Sequence, residues 1–599
     1  MSTTSLVHWR EWNDASFAEA KADDKPVLLH IGAVWCHWCH VMDRGVPGDP
    51  THTGVYTNPQ LADYVNEHFI PVRVDNDQRP DINARYNQGG WPTTCFLTPD
   101  GDVIYGGTYF APGQMRQLLP QISKHWSTRK PDLLDQIAER GEPDLIQTAV
   151  KAPQQTDPLP VQQIVDRVAA AITRGYDHRN FGLGDGQKFP MSDAWALLLA
   201  TQQPDNDHLD MVVNTLIAMG TRGMYDLTAG GWFRYSTTPD WTVPHFEKML
   251  EDHARLLPVY LHAIQSCRKG RPAQAAELEK IVRSSLKYLE ATLLHDADDI
   301  TYFAGSQDAD ENYYALSMTE RATLTAPFID WRMYADWNAL MVPALILAAH
   351  VLQEPRYATC ARKVLDTITR LCLNPDGSIT HAVNFQAGKP VPASLLGMLG
   401  DQASVALALL SCGEHAVAER VLAFAQNTLA APDGGYYDHP VDPAAHGMLR
   451  VRLKPIFDNA HMAEALLHAH YLGDAGLATH VNNAKTALAA FTDEYVRYRE
   501  HGAAYALACM HATTEPTELI VVGQGVGVAA LEAAGYGGYD AWRFVRVVDP
   551  VRDATWIATR GYPVTRLPAA FICHGTTCSA PIYDPALLYV AEMKARVAI

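Results

Sequence analysis

The chain has 599 residues, of which 47% are hydrophobic and 19% charged, with a formal net charge of −19 at pH 7. Because domains usually contain about 100–200 residues, we expect two or more folded units. The negative charge repels phosphate backbones and anionic lipids, so neither nucleic acid nor a membrane is an expected partner. The first residues lack the basic and apolar regions of a secretory signal, and no apolar run is long enough to span a bilayer, which predicts a cytoplasmic protein.

The first region, residues 1–145, alternates strand and helix patterns. The predicted elements are helices over 14–21 and 59–68 and strands over 26–32, 70–75, 93–97 and 103–105. A Pro-Asp-Gly turn joins the last two strands. This order predicts a mixed sheet flanked by helices, that is, a small α/β domain.

The remaining chain divides into three further segments. Residues 146–160 are polar and rich in proline, which is typical of a linker. Residues 161–509 contain many Ala/Leu-rich segments with helical spacing and predict stacked helical hairpins, with closure into an (α/α) toroid left open. Residues 510–599 return to an α/β pattern and predict a small cap or insertion that ends in a closing helix.

The strongest candidate for a centre of chemistry is the Cys36-His37-Trp38-Cys39 turn after the first strand. A cysteine at a helix N-terminus lies among free amide N–H groups and at the positive end of the helix dipole, which lowers its pKa. We therefore expect Cys36 to be the exposed attacking thiolate and Cys39, one turn deeper, to be the resolving thiol. His37 and His40 would supply positive charge or move protons.

Two other interpretations of these cysteines remain open. Cys36, His37, Cys39 and His40 resemble zinc ligands, but a tetrahedral site built from one turn is sterically poor, so Cys36 and Cys39 would need Cys573 and Cys578 as the second ligand pair. They could also be unreactive helical cysteines. Apart from zinc, no cofactor is expected. Pro92 precedes a strand, and in thioredoxin-like folds a cis-proline at this place faces the cysteine pair and shapes the substrate groove.

Several motifs together resemble the thioredoxin-domain-containing family of spermatogenesis-associated protein 20 and its bacterial relatives. They are Trp35–Met42, Val74–Asp81, Gly89–Pro92, Gly107–Phe110, Phe181–Gly182, Lys188–Pro190, Gly230–Tyr235, Val243–Leu250, Asp308–Asp310, Trp337–Asn338 and the pair Cys573 and Cys578. The resemblance implies a thioredoxin-like domain followed by an (α/α) toroid similar to six-hairpin glycosidases and N-acylglucosamine 2-epimerases. It implies the architecture better than the substrate.

The loops of the helical region suggest a second chemical centre. Carboxylates and aromatic faces are what a sugar pocket requires, and helical spacing over 243–253 would place His245 and Asp252 on one stripe. Taken singly, Glu247, Asp336, Asp401 and Asp458 are more simply explained as helix caps. The candidate substrate-binding residues are Trp38, Trp91, Pro92, Lys188, Trp232, Arg234, Tyr235, His245, Glu247, Lys248, Asp252, Asp308, Asp310, Trp337, Asn338, Asp458 and Asn459, with Trp241 and Trp331 as further aromatic faces.

Three functions follow from these observations. We favour a thiol-dependent enzyme that uses Cys36 and Cys39 on a substrate held at the toroid cavity. The second hypothesis is a carbohydrate-active enzyme, either a hydrolase or an epimerase with His245 and His461 as bases, in which the thioredoxin-like domain is regulatory. The third is a redox-sensing scaffold. The expected partner is accordingly a small-molecule substrate or a redox partner protein.

Overall fold

The computed structural model describes residues 5–46, 48–49, 53–140, 159–473 and 478–588. Most of the predicted linker over 146–160, and the predicted closing helix beyond residue 588, lie outside these ranges. Within them the chain forms an N-terminal α/β unit, a ring of helices and a C-terminal α/β unit. No helix in these ranges is long and apolar enough to cross a membrane.

The N-terminal unit is built on one four-stranded sheet. Its elements are α1 (Asp14–Asp23), β1 (Val27–Gly32), α2 (His37–Arg44), α3 (Pro59–His68), β2 (Ile70–Asp75), α4 (Pro80–Tyr86), β3 (Thr93–Leu97), β4 (Val103–Gly107) and α5 (Pro112–Arg140). The strand order is β2-β1-β3-β4, with β1 parallel to β2 and antiparallel to β3. Every residue of β1 is buried, as expected for a central strand covered on both faces. The predicted thioredoxin-like fold is confirmed.

Alternation along β1 assigns its side chains to two cores. Leu28 packs with α3 and α5 on one face, whereas Leu29 and Ile31 pack with α1 and α4 on the other. Local capping fixes the start of α3, where the Asn58 side chain accepts the Leu61 N–H and Pro59 occupies the first turn. The cysteine turn follows the C-terminal end of β1 and so lies at one end of the sheet, beyond the ends of its strands.

The middle unit contains paired helices with short strands between them. In chain order these are α6 (Val161–Gly175), α7 (Ser192–Ala200), α8 (His208–Thr221), β5 (Tyr235–Ser236), β6 (Pro244–His245), β7 (Lys248–Met249), α9 (Leu250–Cys267), α10 (Pro272–Tyr288), β8 (Leu294–Ala297), β9 (Ile300–Phe303), β10 (Ser306–Gln307), α11 (Glu311–Tyr314), α12 (Met318–Arg321), β11 (Ile329–Asp330), β12 (Met333–Tyr334), α13 (Ala335–Val351), α14 (Arg356–Leu371), β13 (Ala382–Gln386), β14 (Lys389–Pro392), α15 (Leu399–Ser411), α16 (His415–Thr428), α17 (Ile456–Leu472), α18 (Ala478–Ala489) and α19 (Ala503–His511).

Six of these helices form a closed inner ring. Helices α7, α9, α13, α15, α17 and α19 each pack on the next, and α19 packs back on α7. The outer helices α6, α8, α10, α14, α16 and α18 each pack on a ring helix. Because inner and outer helices alternate along the chain, all inner helices run in the same direction. The predicted toroid is confirmed, and its closure is observed directly in these helix contacts.

A buried polar residue at the fourth position of four inner helices ties each helix to the turn before it. His253 accepts the Trp232 N–H, Asn338 the Phe303 N–H and Asn459 the Tyr436 N–H, while Gln402 donates to the Gly377 carbonyl. These bonds satisfy backbone groups that the ring buries. They also hold the N-terminal ends of the inner helices in fixed positions.

The C-terminal unit has a second four-stranded sheet. Its elements are β15 (Thr517–Val522), α20 (Val526–Gly535), β16 (Arg543–Val548), α21 (Ala554–Arg560), β17 (Ala569–His574) and β18 (Thr577–Cys578), followed by a helical turn over residues 585–588. It packs on the C-terminal ends of the inner helices. Tyr536 stacks on His350 of α13 at 4.0 Å, and Trp542 stacks on His511 of α19 at 4.1 Å.

Candidate functional site

The cysteine turn forms the N-terminus of α2. Cys36 is the N-cap, its Sγ accepts the Cys39 N–H at 3.2 Å, and the two sulfurs are joined in a disulfide. Cys36 is 4% and Cys39 6% exposed. The expectation that Cys36 is exposed is therefore wrong, because the turn packs into the same apolar core as the helical ring.

Cys39 lines a cleft of about 320 Å³ between the N-terminal unit and the ring. His40 lies in this cleft, where its Nε2 is 2.8 Å from the Val34 carbonyl and 3.4 Å from Asp308. His37 instead lies on the exposed side of α2. Of the two histidines proposed beside the cysteines, the structure thus brings His40 to the cleft.

His30 is a residue of this cleft that the sequence did not reveal. A Cβ on Gly32 would lie 3.3 Å from His30 Nε2 and 3.4 Å from Cys39 Sγ, so the ring nitrogen and the sulfur flank the same point. Burial, with a smaller contribution from Arg73, holds the pKa of His30 well below its usual range. His30 is therefore neutral at physiological pH. In the tautomer whose Nδ1 donates to Tyr56 Oη (3.4 Å), Nε2 presents a free lone pair.

The other side of the cysteine turn is a wall of aromatic and charged groups. Trp35 donates to Asp77 at 2.6 Å, and the Arg234 guanidinium lies 3.9 Å above the Trp35 ring. Trp91 packs edge-on against Trp35, with ring centroids 5.8 Å apart, and the peptide bond from Trp91 to Pro92 is cis. The predicted cis-proline loop and the cysteine turn are thus neighbours.

Buried charges join the N-terminal unit to the ring. Arg85 forms an ion pair with Asp438 at 2.8 Å. His381 donates from Nε2 to the Asp77 carbonyl at 2.8 Å and from Nδ1 to Asp401 at 3.0 Å. Burial opposes protonation of His381, but the Asp401 carboxylate outweighs it and raises the pKa to about 10. These buried pairs therefore hold the two units together, because separating the units would leave a buried charge without its partner at a large cost in free energy.

Carboxylates stand in the first turn of successive inner helices, and we call Asp252, Asp336, Asp401 and Asp458 the acidic ring. Burial is the main cause that raises the pKa of Asp252, Asp336 and Asp458 to about 7. The neighbouring Asp401 adds to the effect at Asp336, and Asp438 adds to it at Asp458. Asp252, Asp336 and Asp458 nevertheless retain partial exposure. These three residues are therefore partly accessible to solvent.

Three polar atoms near this acidic ring have no hydrogen-bond partner in the described part of the chain. They are Arg234 Nη1, Glu247 Oε1 and Asp252 Oδ2, and all three are buried. The charges of Arg234 and Glu247 both act on Asp252, so the three groups lie near one another. The other Glu247 oxygen bonds His245 Nδ1. We call Arg234, Glu247 and Asp252 the acid–arginine site, since it offers donors and acceptors to a ligand.

The predicted helical stripe over 243–253 requires correction. Residues 244–245 and 248–249 are short strands, and α9 begins only at Leu250. His245 therefore does not share a helical face with Asp252. It stacks on Tyr235 at 4.9 Å, which in turn stacks on Phe189 at 5.0 Å.

Six predicted substrate-binding residues have structural roles instead, because other parts of the protein use their polar atoms. Lys188 pairs with Asp177, Lys248 pairs with Asp226, Asp310 caps α11, Asn338 and Asn459 bond backbone groups, and Trp232 is a fully buried core residue that donates to Tyr260. Trp241 is likewise fully buried and donates to the Phe181 carbonyl.

Other predicted residues lie apart from the acid–arginine site. Trp38 is on the outer surface, edge-on to Tyr109 at 5.5 Å. Trp331 is also exposed, whereas Trp337 packs on Tyr334 at 4.5 Å. Sequence patterns did not reveal the roles of Asp77, Glu251, Arg255 and His381. Glu251 and Arg255 pair within α9, whereas His381 meets Asp77 where the two units dock.

Two places hold candidate metal ligands. Within the described ranges, Asp336, His381 and Asp401 place ligand atoms within 4.8 Å of one another. Both His381 nitrogens already donate to protein oxygens, so this geometry fits an ion pair rather than a metal site. The cysteines of the zinc hypothesis form two separate disulfides, Cys36–Cys39 at the start of α2 and Cys573–Cys578 in the β17–β18 hairpin.

Comparison with known proteins supports the N-terminal assignment. Residues 2–142 match the family Thioredox_DsbH, described as "Protein of unknown function, DUF255". The chain is 30% identical over 325 residues to spermatogenesis-associated protein 20 of Mus musculus. This alignment covers 51% of this chain and 39% of the mouse protein. The predicted resemblance to that family is confirmed. The matched stretch thus spans about two fifths of the relative's length.

Two further similarities concern single units. The chain is 37% identical over 89 residues to thiol:disulfide interchange protein DsbD 1 of Pseudomonas aeruginosa, covering 15% of this chain and 14% of that protein. A structural match to a crystal structure of D-mannose isomerase covers 60% of this chain and 98% of the isomerase chain, with 12% sequence identity and a TM-score of 0.45.

Proposed function

We propose that the chain is a thiol–disulfide oxidoreductase whose Cys36–Cys39 pair reacts with a small disulfide-bearing molecule. The observation that carries this proposal is the cysteine pair at the start of α2, closed as a disulfide, with the Cys39 N–H donated to Cys36 Sγ. An amide N–H aimed at sulfur, together with the helix dipole, favours the thiolate. Cys36 is therefore the attacking sulfur.

The reaction proceeds in two exchange steps. In the reduced protein the Cys36 thiolate attacks one sulfur of the substrate, the substrate S–S bond breaks, and its electron pair and a proton pass to the leaving sulfur. Cys39 passes its proton to His30 and attacks Cys36, and the second substrate sulfur leaves and takes that proton from His30 as the Cys36–Cys39 disulfide closes. Two electrons pass to the substrate, and an external dithiol restores the protein pair.

Burial of the cysteine turn favours a small substrate over a protein. Both sulfurs are buried against the helical ring. Cys39 lines a cleft bounded by Asp308 and Phe328 of the ring, and the substrate would reach the adjoining Cys36 sulfur through this cleft. A folded protein has no route to such a sulfur, whereas a molecule of a few tens of atoms fits the cleft. The redox-scaffold hypothesis, in which a partner protein is trapped, has less support for the same reason.

Cysteine variants test the proposal. We expect the purified protein to reduce small disulfides such as cystine, with dithiothreitol as reductant, and Cys36→Ser to lower kcat/KM by about a hundredfold or more. Cys360→Ser, which changes a free cysteine on α14, is the matched control and should leave the rate unchanged. Full turnover by Cys36→Ser would remove the thiol from the mechanism.

The acidic ring and the acid–arginine site favour a second candidate, chemistry on a polyhydroxylated substrate. A carboxyl with a pKa near 7 can hold a proton beside an ionised neighbour, which is the pairing that acid–base catalysis on sugars needs. Thermal-shift measurements against monosaccharides and disaccharides test it. Stabilisation that is lost in Asp252→Asn and Glu247→Gln would support this candidate, and no stabilisation by any sugar would count against it.

A further inference from the structure

The C-terminal sheet repeats the topology of the N-terminal sheet. Its strand order is β16-β15-β17-β18, with β15 parallel to β16 and antiparallel to β17. The N-terminal order β2-β1-β3-β4 has the same directions, and both sheets end in an antiparallel hairpin. The two units therefore connect their strands in the same way, with a helix between the two parallel strands.

The helices also occupy matching faces. In the N-terminal unit α3 and α5 cover one face and α4 the other. In the C-terminal unit α20 and Leu588 of the last helical turn cover one face, and Ile557 of α21 covers the other. The central strands agree in register as well, because Ile31 and Val522 are the residues that pair with the first residues of β3 and β17.

A cis-proline stands at the same point in both units. Pro92 directly precedes β3, and Pro568 directly precedes β17. In the C-terminal unit a Cβ on Gly523 or Gly527 would lie 2.7 Å from Pro568, so glycines occupy the turn and helix start that carry Cys36 and Cys39 in the N-terminal unit. The N-cap of α20 is Gly525, where α2 has Cys36, and Val528 stands where α2 has Cys39. This turn therefore has no cysteine pair, and the unit carries its two cysteines on the β17–β18 hairpin.

We propose that the C-terminal unit is a second thioredoxin-fold redox unit whose reactive group is the Cys573–Cys578 disulfide, which accepts two electrons from an external dithiol. The two cysteines are cross-strand partners in the hairpin. Cys578 is exposed, and Cys573 is 2% exposed. An incoming thiolate can therefore reach Cys578 Sγ, with Cys573 as the leaving sulfur.

Tyr562 supplies the group that such a leaving sulfur needs. Its hydroxyl is 3.4 Å from Cys573 Sγ and 3.8 Å from Cys578 Sγ. Burial raises the pKa of Tyr562, so the phenol keeps its proton and donates it in a hydrogen bond to the developing thiolate. Packing of the Tyr562 ring on Trp556 and Phe571 holds the hydroxyl in place beside the two sulfurs.

The exchange balances in two steps. A thiolate of the dithiol attacks Cys578 Sγ, the Cys573–Cys578 bond breaks, and Cys573 leaves as a thiolate hydrogen-bonded to Tyr562. The second thiol of the reductant then attacks the mixed disulfide and releases Cys578. The dithiol becomes a disulfide, and the protein gains two electrons and two protons.

The experiment uses the full chain with Cys36→Ser and Cys39→Ser, so that its outcome is independent of the proposed Cys36–Cys39 activity. This variant is treated, in its folded state, with dithiothreitol or with reduced thioredoxin. The thiols of Cys573 and Cys578 are then followed by alkylation and mass spectrometry. We expect reduction at least tenfold faster than unfolding, and reoxidation by oxidised glutathione. Reduction by thioredoxin as well would identify a protein dithiol as a source, and reduction by dithiothreitol alone a small dithiol.

Tyr562→Phe isolates the chemistry from folding. We expect this variant to slow reduction severalfold with an unchanged Tm, whereas Tyr583→Phe, a change on the same side of the sheet, should leave the rate as it was. The proposal is overturned if neither dithiol reduces the pair before the protein unfolds. Identical rates in the two tyrosine variants would overturn the role given to Tyr562.

Discussion

The two α/β units share a topology but differ in what covers the edge after the central strand. In the N-terminal unit this edge carries the cysteine turn and is buried against the helical ring. In the C-terminal unit the corresponding loops are open, with Val526 90% and Val551 78% exposed, and the unit contacts the ring through Tyr536 and Trp542 instead. The two units therefore have the same fold but differ in cysteine access: the pair in the N-terminal unit is enclosed, and the pair in the C-terminal unit has one exposed member, Cys578.

The largest expected effect comes from breaking the docking of the N-terminal unit. Arg85 is fully buried in its ion pair with Asp438. Because Arg85→Ala leaves a carboxylate buried without its cation, we expect it to destabilise docking by about 3–5 kcal/mol. Alkylation of reduced Cys36 should then accelerate at least tenfold, and protein disulfides should become substrates.

Arg450→Ala is the matched control for that prediction. Arg450 also pairs across the two units, with Asp102 at 3.3 Å, but both side chains are exposed. Exposed pairs contribute about 0–1 kcal/mol, so alkylation of Cys36 should change little. Equal acceleration in the two variants would show that the buried pair is not what encloses the cysteines.

A smaller effect is expected at the acidic ring and depends on pH. Burial raises the pKa of Asp252 to about 7, whereas an unfolded aspartate ionises near pH ~3.9. The folded state therefore binds more protons between these values, and stability falls as the pH rises from about 4 to about 7. Asp252→Asn removes this loss, so we expect it to stabilise the protein by up to about 4 kcal/mol at pH 8 and by less at pH 5.

Thermal unfolding of Asp252→Asn at several pH values measures this difference. Asp205→Asn changes an exposed carboxylate and should give no pH-dependent gain. A constant difference between Asp252→Asn and the wild-type chain across pH 4–8 would contradict the raised pKa. An unchanged rate of disulfide reduction in Asp252→Asn would separate the acidic ring from the thiol chemistry.

The smallest effect is expected at His30. Loss of a proton acceptor near Cys39 should slow the resolving step about tenfold in His30→Gln, since general bases typically contribute such factors or more. Because His30 is neutral between pH 6 and 8, the wild-type rate should follow only the ionisation of the thiols in this range, whereas the variant should show an additional dependence on hydroxide. His37→Gln, on the exposed side of α2, should behave like the wild-type chain.

Local patterns in the sequence predicted much of this fold, and long-range contacts account for the rest. The apolar run of β1, the cysteine turn and the Ala/Leu-rich helices have short-range signals, so residue order alone is enough to predict them. Whether Cys36 is exposed depends on the ring that covers it, which no local pattern encodes. The repeat of topology in the C-terminal unit was also hidden, because strand order is set by pairing between distant segments.

Part of the candidate site was also inaccessible to local interpretation. Arg234, Glu247 and Asp252 were selected individually from their residue types, but the helical stripe proposed for His245 was wrong because β6 and β7 precede α9. Asp77 and His381 meet only when the two units dock. Asn338 and Lys248, chosen as ligand groups, proved to be buried partners of the backbone and of Asp226.

The two cysteine pairs differ above all in how large a reagent can reach them. After reduction of the native protein, iodoacetamide and a bulky polyethylene glycol maleimide can be compared at each cysteine by mass spectrometry. We predict that Cys578 reacts with both reagents, whereas Cys36 and Cys39 react with iodoacetamide only. Equal labelling of Cys36 and Cys578 by the bulky maleimide would contradict this difference in access.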